Sequence, residues 1–444
     1  MFGKDFLWGC ASAATQIEGG AYEDGKGLSI WDQYGKEKRI LYGHTPTFAC
    51  DSYHRYKEDI QLIRELGVKV YRFSINWTRI VPNGYDGVIN QKGIDYYNDV
   101  INEVLKAGLI PFVTLYHWDM PYEVYKKGGF LNREIADWFA FYARVIGDHF
   151  ADRVKNFIVI NEPQCCIGGL GGADRYVNYT AKEMLTMIHN LLLMNGKAAK
   201  ILKSYEGVRV GLAPCGDGTI PYSENEADIE AAYRRFFGLD YHSAGSVSLF
   251  CDPVIFGEYP KEYYEIYKAE ELPQIEPGDM DIIRCDVDFI GYNNYTSWIY
   301  RADKNERYGT RVEFDPNRVY TWGGKWPYAP EGMYWILKNL DRRYHLPLIV
   351  TENGTPCYDM VSADGRVHDP YRIEILRSYI GQAEKAKDEG VDLRGYFVWS
   401  ILDNLEWYDG YTERFGLVHV DFNTFKRTPK DSYYWYRDFI RDSE

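Results

Sequence analysis

Two apolar segments of this chain end in the same way, and this shared ending restricts the fold more than any other feature. Leu348 to Thr351 is a short, partly β-branched run that stops at Glu352, and two turn-forming residues follow. Asn156 to Asn161 is a similar run that stops at Glu162, after which Pro163 prevents further strand pairing. Apolar runs of this kind are typical of strands buried on both faces, so the sequence favours a parallel sheet covered by helices.

The two glutamates at these strand ends indicate a class of reaction. A lone Glu352 would more often be a helix cap or a satisfied polar group than a catalytic residue. Glu162 supplies a second carboxyl at an equivalent position, and two carboxyls across a pocket are the groups that hydrolyse glycosides. One carboxyl donates a proton to the leaving oxygen, while the other attacks or stabilises the anomeric carbon. The distance between them decides the stereochemistry, and sequence does not contain that distance.

Strand and helix patterns alternate along the whole chain. The sequence predicts eight strands, at Phe6–Ala11, Val68–Ser74, Leu109–Tyr116, Asn156–Asn161, Val208–Ala213, Val287–Asn293, Leu348–Thr351 and Leu393–Trp399. It predicts helices between them, at Lys57–Leu66, Asp95–Ala107, Arg133–Phe150, Ala181–Tyr205, Ile229–Phe237, Lys261–Lys268, Gly332–Tyr344 and Arg372–Glu389. This alternation predicts an α/β fold, a (β/α)₈ TIM barrel with elaborated βα loops at its C-terminal face. No segment resembles a linker, so we expect one domain over residues 1–444.

In such a barrel the functional groups lie at the carboxyl ends of the strands. Seven of the eight predicted strands end at or near polar or aromatic residues, whereas the fifth, Val208–Ala213, ends without an obvious functional group. The residues at the seven endings are Gln16, Arg72, His117 with Trp118, Asn161 with Glu162, Asn293 with Tyr295, Glu352 and Trp399. The sequence therefore predicts one site to which most strands contribute.

Net charge and hydropathy exclude two classes of partner. The formal net charge is −14 and the sequence pI is about 5.2, whereas nucleic acid is bound by clustered Lys and Arg, so we expect no nucleic-acid partner. No apolar run of about 18 residues is present, so we expect no membrane partner. Residues 1–5 lead directly into a strand rather than into an apolar signal segment, which predicts a cytoplasmic protein. A homo-oligomer is left open.

The eight cysteines form no C-x-x-C pair and no zinc-type spacing with histidine, so we expect reduced thiols and no metal site. Cys165 and Cys166 are adjacent just after Glu162, and a role as small buried side chains is favoured over a thiol sensor. Aromatic residues make up 16% of the chain, an excess that suits stacking on sugar rings as well as a large core.

Seven segments of the chain resemble glycoside hydrolase family 1, the β-glucosidase family. They follow the family's order and cover nearly the whole chain, at Phe6–Gly19, Tyr71–Ser74, Tyr116–Asp119, Asn161–Pro163, Gly291–Tyr295, Thr351–Gly354 and Trp399–Asp421. The resemblance implies a retaining double displacement with Glu352 as the nucleophile and Glu162 as the acid/base, without metal or cofactor. Burial and the charge of Glu352 would keep Glu162 protonated. Arg72 and Tyr295 would keep Glu352 ionised; for Arg72 the alternative is an ion pair at the barrel rim.

The resemblance also implies the residues that bind the sugar. Asn161 would bind the 2-hydroxyl and Glu406 would bridge two other hydroxyls, with Trp399 beneath the ring and Phe415 at the end of the pocket. Trp326 resembles the residue on which the leaving group rests, and a core role is an equal alternative. The full expected set is Gln16, His117, Trp118, Asn161, Asn293, Trp326, Trp399, Glu406, Trp407 and Phe415.

Two regions bear on the choice of substrate. Family members that take phosphorylated sugars carry a Ser and a Lys-x-Tyr set after the last strand, whereas this chain has Glu406 to Asp409 there, and an acid repels a phosphate. A neutral hexoside is therefore favoured. The segments 164–176 and 355–356 depart from the usual family pattern at the entrance, which affects the leaving group rather than the reaction. Asp403, Asn404 and Asp409 are assigned to loop ordering.

Together these features favour a retaining exo-acting β-glycosidase, specifically a β-glucosidase acting on small-molecule β-D-glucosides. A β-galactosidase, a β-fucosidase or a transglycosylase of the same family is the nearest alternative, and only a comparison of donors and acceptors separates them. A non-catalytic sugar-binding barrel is a further alternative. The presence of both Glu162 and Glu352 argues against this alternative, because sugar binding alone does not require two opposed carboxylates.

Overall fold

The computed structural model describes residues 2–314 and 316–443. Eight parallel strands form a closed barrel: β1 (Leu7–Ala11), β2 (Val70–Ser74), β3 (Ile110–Tyr116), β4 (Asn156–Asn161), β5 (Arg209–Ala213), β6 (Phe289–Asn293), β7 (Leu348–Asn353) and β8 (Leu393–Trp399). Strands that follow each other in this order are neighbours in the barrel, and β1 closes against β8 with Leu7 opposite Gly395. The predicted (β/α)₈ fold class is confirmed.

Helices surround the barrel and connect its strands. Those of eight or more residues lie at Ser52–Leu66, Gln91–Lys106, Ile135–Phe150, Ala181–Lys203, Glu226–Phe237, Ser248–Ile255, Glu331–Tyr344, Pro370–Asp388 and Asp431–Ser443. Shorter helical turns lie at Ala14–Ile17, Ile30–Lys36, Leu41–Gly43, Trp77–Ile80, Tyr122–Lys126, Gly129–Leu131, Pro163–Ile167, Lys261–Ile266, Ala269–Glu271, Asp279–Ile283 and Trp407–Asp409. The helix at Ser52–Leu66 begins before the predicted Lys57. The prediction began too late because the first turn of this helix is polar and shows no apolar periodicity.

The interior of the barrel is filled by apolar side chains from all eight strands. Seven of them form one buried cluster, and Leu7 of β1 packs against it; the seven are Val70, Phe112, Ile158, Ala213, Phe289, Ile349 and Phe397. Gly211 of β5 leaves room for this packing, because a Cβ atom there would lie 2.2 Å from the Phe289 ring. With its interior packed in this way, the barrel can place polar groups only at its ends.

The loops beyond the carboxyl ends of the strands carry small additional sheets. A three-stranded sheet is formed by Gly218–Pro221, Ser297–Arg301 and Thr310–Val312, and two hairpins pair Tyr320–Thr321 with Trp326–Pro327 and Val418–Val420 with Arg427–Pro429. None of the helices within the described ranges has both the length and the apolar character needed to cross a bilayer. The single domain over residues 1–444 stays a prediction.

Candidate active site

A cavity of about 210 Å³ opens at the carboxyl ends of the barrel strands. Twelve residues singled out in the sequence line it: His117, Trp118, Asn161, Glu162, Asn293, Tyr295, Trp326, Glu352, Trp399, Glu406, Trp407 and Phe415. The other two, Gln16 and Arg72, are not among the lining residues. Gln16 Nε2 donates to the Asn404 Oδ1 and Leu405 carbonyl oxygens at 3.0 and 2.8 Å, so Gln16 braces the loop that leads to Glu406.

Glu352, near the end of β7, is held by a donor on each oxygen. Arg72 Nη1 donates to Oε1 at 2.6 Å, and the Tyr295 hydroxyl donates to Oε2 at 2.7 Å. Only 1% of Arg72 and 3% of Glu352 is exposed, so the ion pair is desolvated. Burial raises the pKa of Glu352, and the charge of Arg72 opposes that shift. Donors on both oxygens favour the carboxylate form of this residue.

Glu162, directly after β4, has a different environment. It stands at the N-cap position of the short helix Pro163–Ile167, but its side chain makes no capping hydrogen bond, so the helix-cap role does not apply. Its Oε1 accepts a hydrogen bond from Asn293 Nδ2 at 2.8 Å. Burial raises the pKa of Glu162. A neutral amide stabilises a carboxylate less than the Arg72 cation does, so the hydrogen-bond partners of the two glutamates favour the protonated form more at Glu162 than at Glu352.

Two amides connect these carboxylates to the rest of the site. Asn161 Oδ1 accepts hydrogen bonds from Arg72 Nη2 at 2.6 Å and from Asn293 Nδ2 at 3.0 Å. Asn161 Nδ2 is therefore the group that faces His117 Nε2, at 3.1 Å, and it places the imidazole proton on Nδ1. Burial lowers the pKa of His117 well below its ordinary value, so the ring is neutral. Asn293 is itself oriented by Thr351, whose hydroxyl donates to Oδ1 at 2.7 Å.

Several buried polar atoms around the cavity lack a hydrogen-bond partner. They are Gln16 Oε1, His117 Nδ1, Trp322 Nε1 and Glu406 Oε2. Buried polar atoms are normally paired, so a group of them at one cavity indicates a ligand with several hydroxyls. Burial together with the negative charge of Asp409 raises the pKa of Glu406 well above its ordinary value.

Aromatic rings form the remaining walls. His117 stacks on Trp399 with ring centroids 5.6 Å apart, and Trp118 contacts Trp407 at 4.6 Å. On another wall Trp326 stacks on Tyr295 at 5.1 Å. Trp326 thus packs against Tyr295, whose hydroxyl donates to Glu352, and it also lines the cavity. A core role and a role in supporting the leaving group are therefore compatible.

The backbone is strained at three of these positions. Trp118, Glu162 and Trp407 adopt left-handed φ values of 71°, 47° and 47°. Non-glycine residues in this region cost about 1–3 kcal/mol each, and such residues cluster at functional sites. The Trp118 indole donates to the Asn161 carbonyl oxygen at 2.9 Å, which holds the strained β3 ending against the β4 ending.

The strand predicted at Val208–Ala213 is present as β5, but its ending, where no functional group was expected, borders the cavity. Cys215, Gly216 and Asp217, which follow β5, line the cavity, as do Cys165, Leu170, Thr296 and Trp322. Cys215 and Gly216 carry no polar pattern of their own, and Asp217 lies four residues past the strand, so the sequence did not indicate that this ending borders the cavity. A second cavity of about 620 Å³ adjoins the first and shares the residues Cys165, Leu170, Cys215, Gly216 and Asp217 with it.

Comparison with known proteins gives consistent matches over the full length. The model of glycosyl hydrolase family 1 matches residues 1–444. β-Glucosidase A of Thermotoga maritima is 44% identical, in an alignment that covers 100% of this chain and 98% of the relative. The 1,4-β-D-glucan glucohydrolase of Thermotoga neapolitana is 42% identical with the same coverage. A solved structure of the T. maritima β-glucosidase in complex with glucoimidazole matches with a TM-score of 0.89 and 44% identity, over 99% of this chain and 98% of that chain.

Proposed function

The chain belongs to glycosyl hydrolase family 1, and from this membership we propose that it is a β-glucosidase that hydrolyses non-phosphorylated β-D-glucosides. It is a glycoside hydrolase, and retention of configuration is general in the family. The observation that carries our assignment of roles is the unequal support of the two buried glutamates. Glu352 has a cation and a hydroxyl on its oxygens, whereas Glu162 has the neutral amide of Asn293.

The unequal hydrogen bonding of the two glutamates assigns each of them its role in the two steps of a double displacement. Glu162 donates its proton to the glycosidic oxygen while Glu352 attacks the anomeric carbon, so the alcohol leaves and a glycosyl ester forms. Esterification removes the negative charge of Glu352, which lowers the pKa of Glu162 and converts it into a base. Glu162 then takes a proton from water, the water oxygen attacks the anomeric carbon, and the ester bond to Glu352 breaks. Two inversions give net retention.

The dimensions and polar atoms of the cavity support action on a terminal sugar. Its volume of about 210 Å³ is smaller than the roughly 300–1,000 Å³ of pockets that hold drug-sized ligands, which favours a single ring. The free polar atoms of Gln16, His117 and Glu406 match a ring bearing adjacent hydroxyls. Trp399 offers a flat apolar surface beside them. Glu406 disfavours a sugar phosphate, in agreement with a neutral hexoside.

Two further expectations stay predictions. A cytoplasmic location is supported by the eight cysteines, all of which are free thiols, since disulfides are rare in reducing compartments. A homo-oligomer remains open.

The deciding experiment replaces Glu352 with glycine and supplies azide as an external nucleophile. With p-nitrophenyl β-glucoside, we expect Glu352→Gly to lower kcat by more than about 10³-fold. Azide should then restore nitrophenol release and give the α-glucosyl azide, because a single inversion replaces two. Full activity of Glu352→Gly, or a β-configured azide from it, would overturn the assignment.

Glu162→Gly is the matched control for this test. In that variant Glu352 still forms the ester, and azide attacks it in the second step, so the product should be the β-glucosyl azide. The anomeric configuration therefore distinguishes the two glutamates within one assay. Running p-nitrophenyl β-galactoside in parallel decides between a glucosidase and a galactosidase, since a kcat/KM larger for the galactoside would reject the proposed substrate.

A further inference from the structure

Two cysteines lie beside Glu162 although 50 positions separate them in the sequence. Cys165 is on the short helix that follows β4, and Cys215 is two residues past β5. Their Sγ atoms are 3.5 Å apart. Within the described part of the chain, Glu162, Cys165 and Cys215 form a group whose ligand atoms all lie within 4.8 Å of one another. The neighbouring positions of β4 and β5 in the barrel bring this group together.

We propose that Glu162, Cys165 and Cys215 form an inhibitory binding site for a soft divalent cation, with Zn²⁺ as the expected ion. Thiolate and carboxylate ligands bind Zn²⁺ at about 2.3 and 2.0–2.2 Å, so two thiolates of one tetrahedron lie roughly 3.8 Å apart. The observed 3.5 Å between the sulfur atoms is close to this separation. Inhibition as the outcome rests on the proposed function, in which Glu162 is the acid/base.

The position of the group makes it accessible to an ion. Cys165 and Cys215 belong to the wall shared by the 210 Å³ and 620 Å³ cavities, and both cavities have room for solvent. Gln164 adds an oxygen donor nearby, because its Oε1 lies 3.8 Å from Cys215 Sγ. The ion therefore has three protein ligands, with the amide oxygen or water for a fourth position.

Among the described residues, the lining of the smaller cavity includes four acids and no Lys or Arg, a composition that suits a cation better than an anion. Glu352 and Glu406 line the same cavity as Glu162, while the positive charge of Arg72 is paired with Glu352 at 2.6 Å. A disulfide between the two cysteines is the competing reading. It would need only the two thiols, whereas an ion also needs further ligands, and the Glu162 carboxylate lies within 4.8 Å of both sulfur atoms.

A bound ion would stop hydrolysis at a defined step. As a ligand, Glu162 is held as a carboxylate and has no proton for the glycosidic oxygen. In the second half of the reaction its lone pair is engaged by the ion, so it cannot accept a proton from water. The effect is reversible, because removal of the ion restores the original groups.

Calorimetric titration of the full-length enzyme with ZnCl₂ tests the site without relying on activity. We expect one bound ion per chain, and we expect Cys165→Ser and Cys215→Ser each to raise its Kd by at least about 100-fold, since losing even an outer partner of a ligand costs about 10–100-fold. Cys357→Ser is the matched control, because Cys357 is the other partly exposed cysteine, and it should leave the Kd unchanged. Equal affinity in all three variants would overturn the proposal.

Two measurements on the unmodified enzyme keep the test valid if a serine variant fails to fold. Co²⁺ should produce a thiolate-to-metal charge-transfer absorption, and its absence would overturn the site. Zn²⁺ should inhibit hydrolysis of p-nitrophenyl β-glucoside at the concentration where it binds, and a chelator should restore full activity. Inhibition that persists after chelation and consumes two free thiols would show a disulfide instead.

If zinc binds as expected while Glu162→Gln hydrolyses normally, the proposed acid/base fails and the metal site stands.

Discussion

Two of the buried clusters of charged side chains are balanced in opposite ways. The first, here called the aspartate cluster, pairs three carboxylates with three cations and consists of Asp359, Asp369, Asp403, Arg372, Arg414 and Lys430. Lys430 bonds both Asp359 and Asp403, and Arg372 bonds both Asp359 and Asp369. In the cavity at the strand ends, Arg72 is paired with Glu352, while Glu162 and Glu406 are buried near this pair.

This difference separates a structural cluster from a reactive one. Although burial opposes ionisation, Lys430 and Arg414 hold the pKa of Asp403 below its ordinary value. In the cavity, burial raises the pKa of Glu162 and Glu406, so these groups exchange protons in a range where Asp403 does not. Matched charges stabilise the fold, whereas unmatched ones are retained at a cost to stability and make proton transfer available.

The largest expected effect contrasts activity with stability at Glu162. We expect Glu162→Gln to lower kcat/KM for cellobiose by about 10²–10⁴-fold, because this sugar leaving group needs a proton. The free energy of unfolding should stay equal to that of the wild type or rise, since glutamine keeps an oxygen for Asn293 and removes a buried acid. Steady-state kinetics and urea denaturation measure both quantities. A clear loss of stability would show that Glu162 belongs with the structural cluster.

The opposite result is expected at Asp403. Asp403→Asn should lower the free energy of unfolding by about 3–5 kcal/mol, because Lys430 and Arg414 lose a buried partner. The folded-state pKa of Asp403 is depressed, so its contribution is present above the unfolded pKa and is lost as the pH falls through the lower folded value. The stability difference between wild type and variant should therefore shrink in acid.

Asp438→Asn is the control for that measurement, because Asp438 is paired only at the surface. Urea denaturation at several pH values should show little change for this variant. If Asp403→Asn is no more destabilising than Asp438→Asn, the balance of charge in the aspartate cluster does not contribute to stability as argued here.

The smallest expected effect refines the description of Glu352. Tyr295→Phe removes the donor on Oε2 and should lower kcat/KM by about 10–100-fold, in line with about 1.5–3 kcal/mol for a hydrogen bond to a charged group. Loss of a donor to the carboxylate raises its pKa, so the acid limb of the pH profile of kcat/KM should move to higher pH. Tyr71→Phe, whose hydroxyl bonds Ser12 instead, is the control and should leave that limb in place. An unshifted limb in Tyr295→Phe would mean that Arg72 alone sets the charge of Glu352.

Much of the fold and part of the site were accessible from residue patterns. The alternation of apolar strands and amphipathic helices predicted the barrel, and the strand-end rule selected eight residues that line one cavity. Four more lining residues, Trp326, Glu406, Trp407 and Phe415, were expected only from the family resemblance. Family membership and β-glucosidase relatives confirm the expected class of reaction. The catalytic roles of Glu162 and Glu352 stay predictions until the variants are measured.

Other features depended on contacts that no local pattern records. Asp403 was assigned to loop ordering, and its partner Lys430 lies 27 positions further along the chain. The sequence did not indicate a role for Cys215, because its closeness to Cys165 arises from the pairing of β4 with β5. The C-terminal helix Asp431–Ser443 was also not predicted, although it packs against Pro370–Asp388 and Ser52–Leu66.

The sequence by itself determined the order of strands and helices and the residue types at the strand ends, because hydrophobic periodicity and turn formation act over a few neighbouring residues. Only the tertiary structure decided which carboxylate meets Arg72, which one meets the Asn293 amide, and which cysteines lie within reach of an ion. Those properties depend on desolvation and on distances of a few ångströms between groups far apart in the chain, and the closing of the barrel sets both.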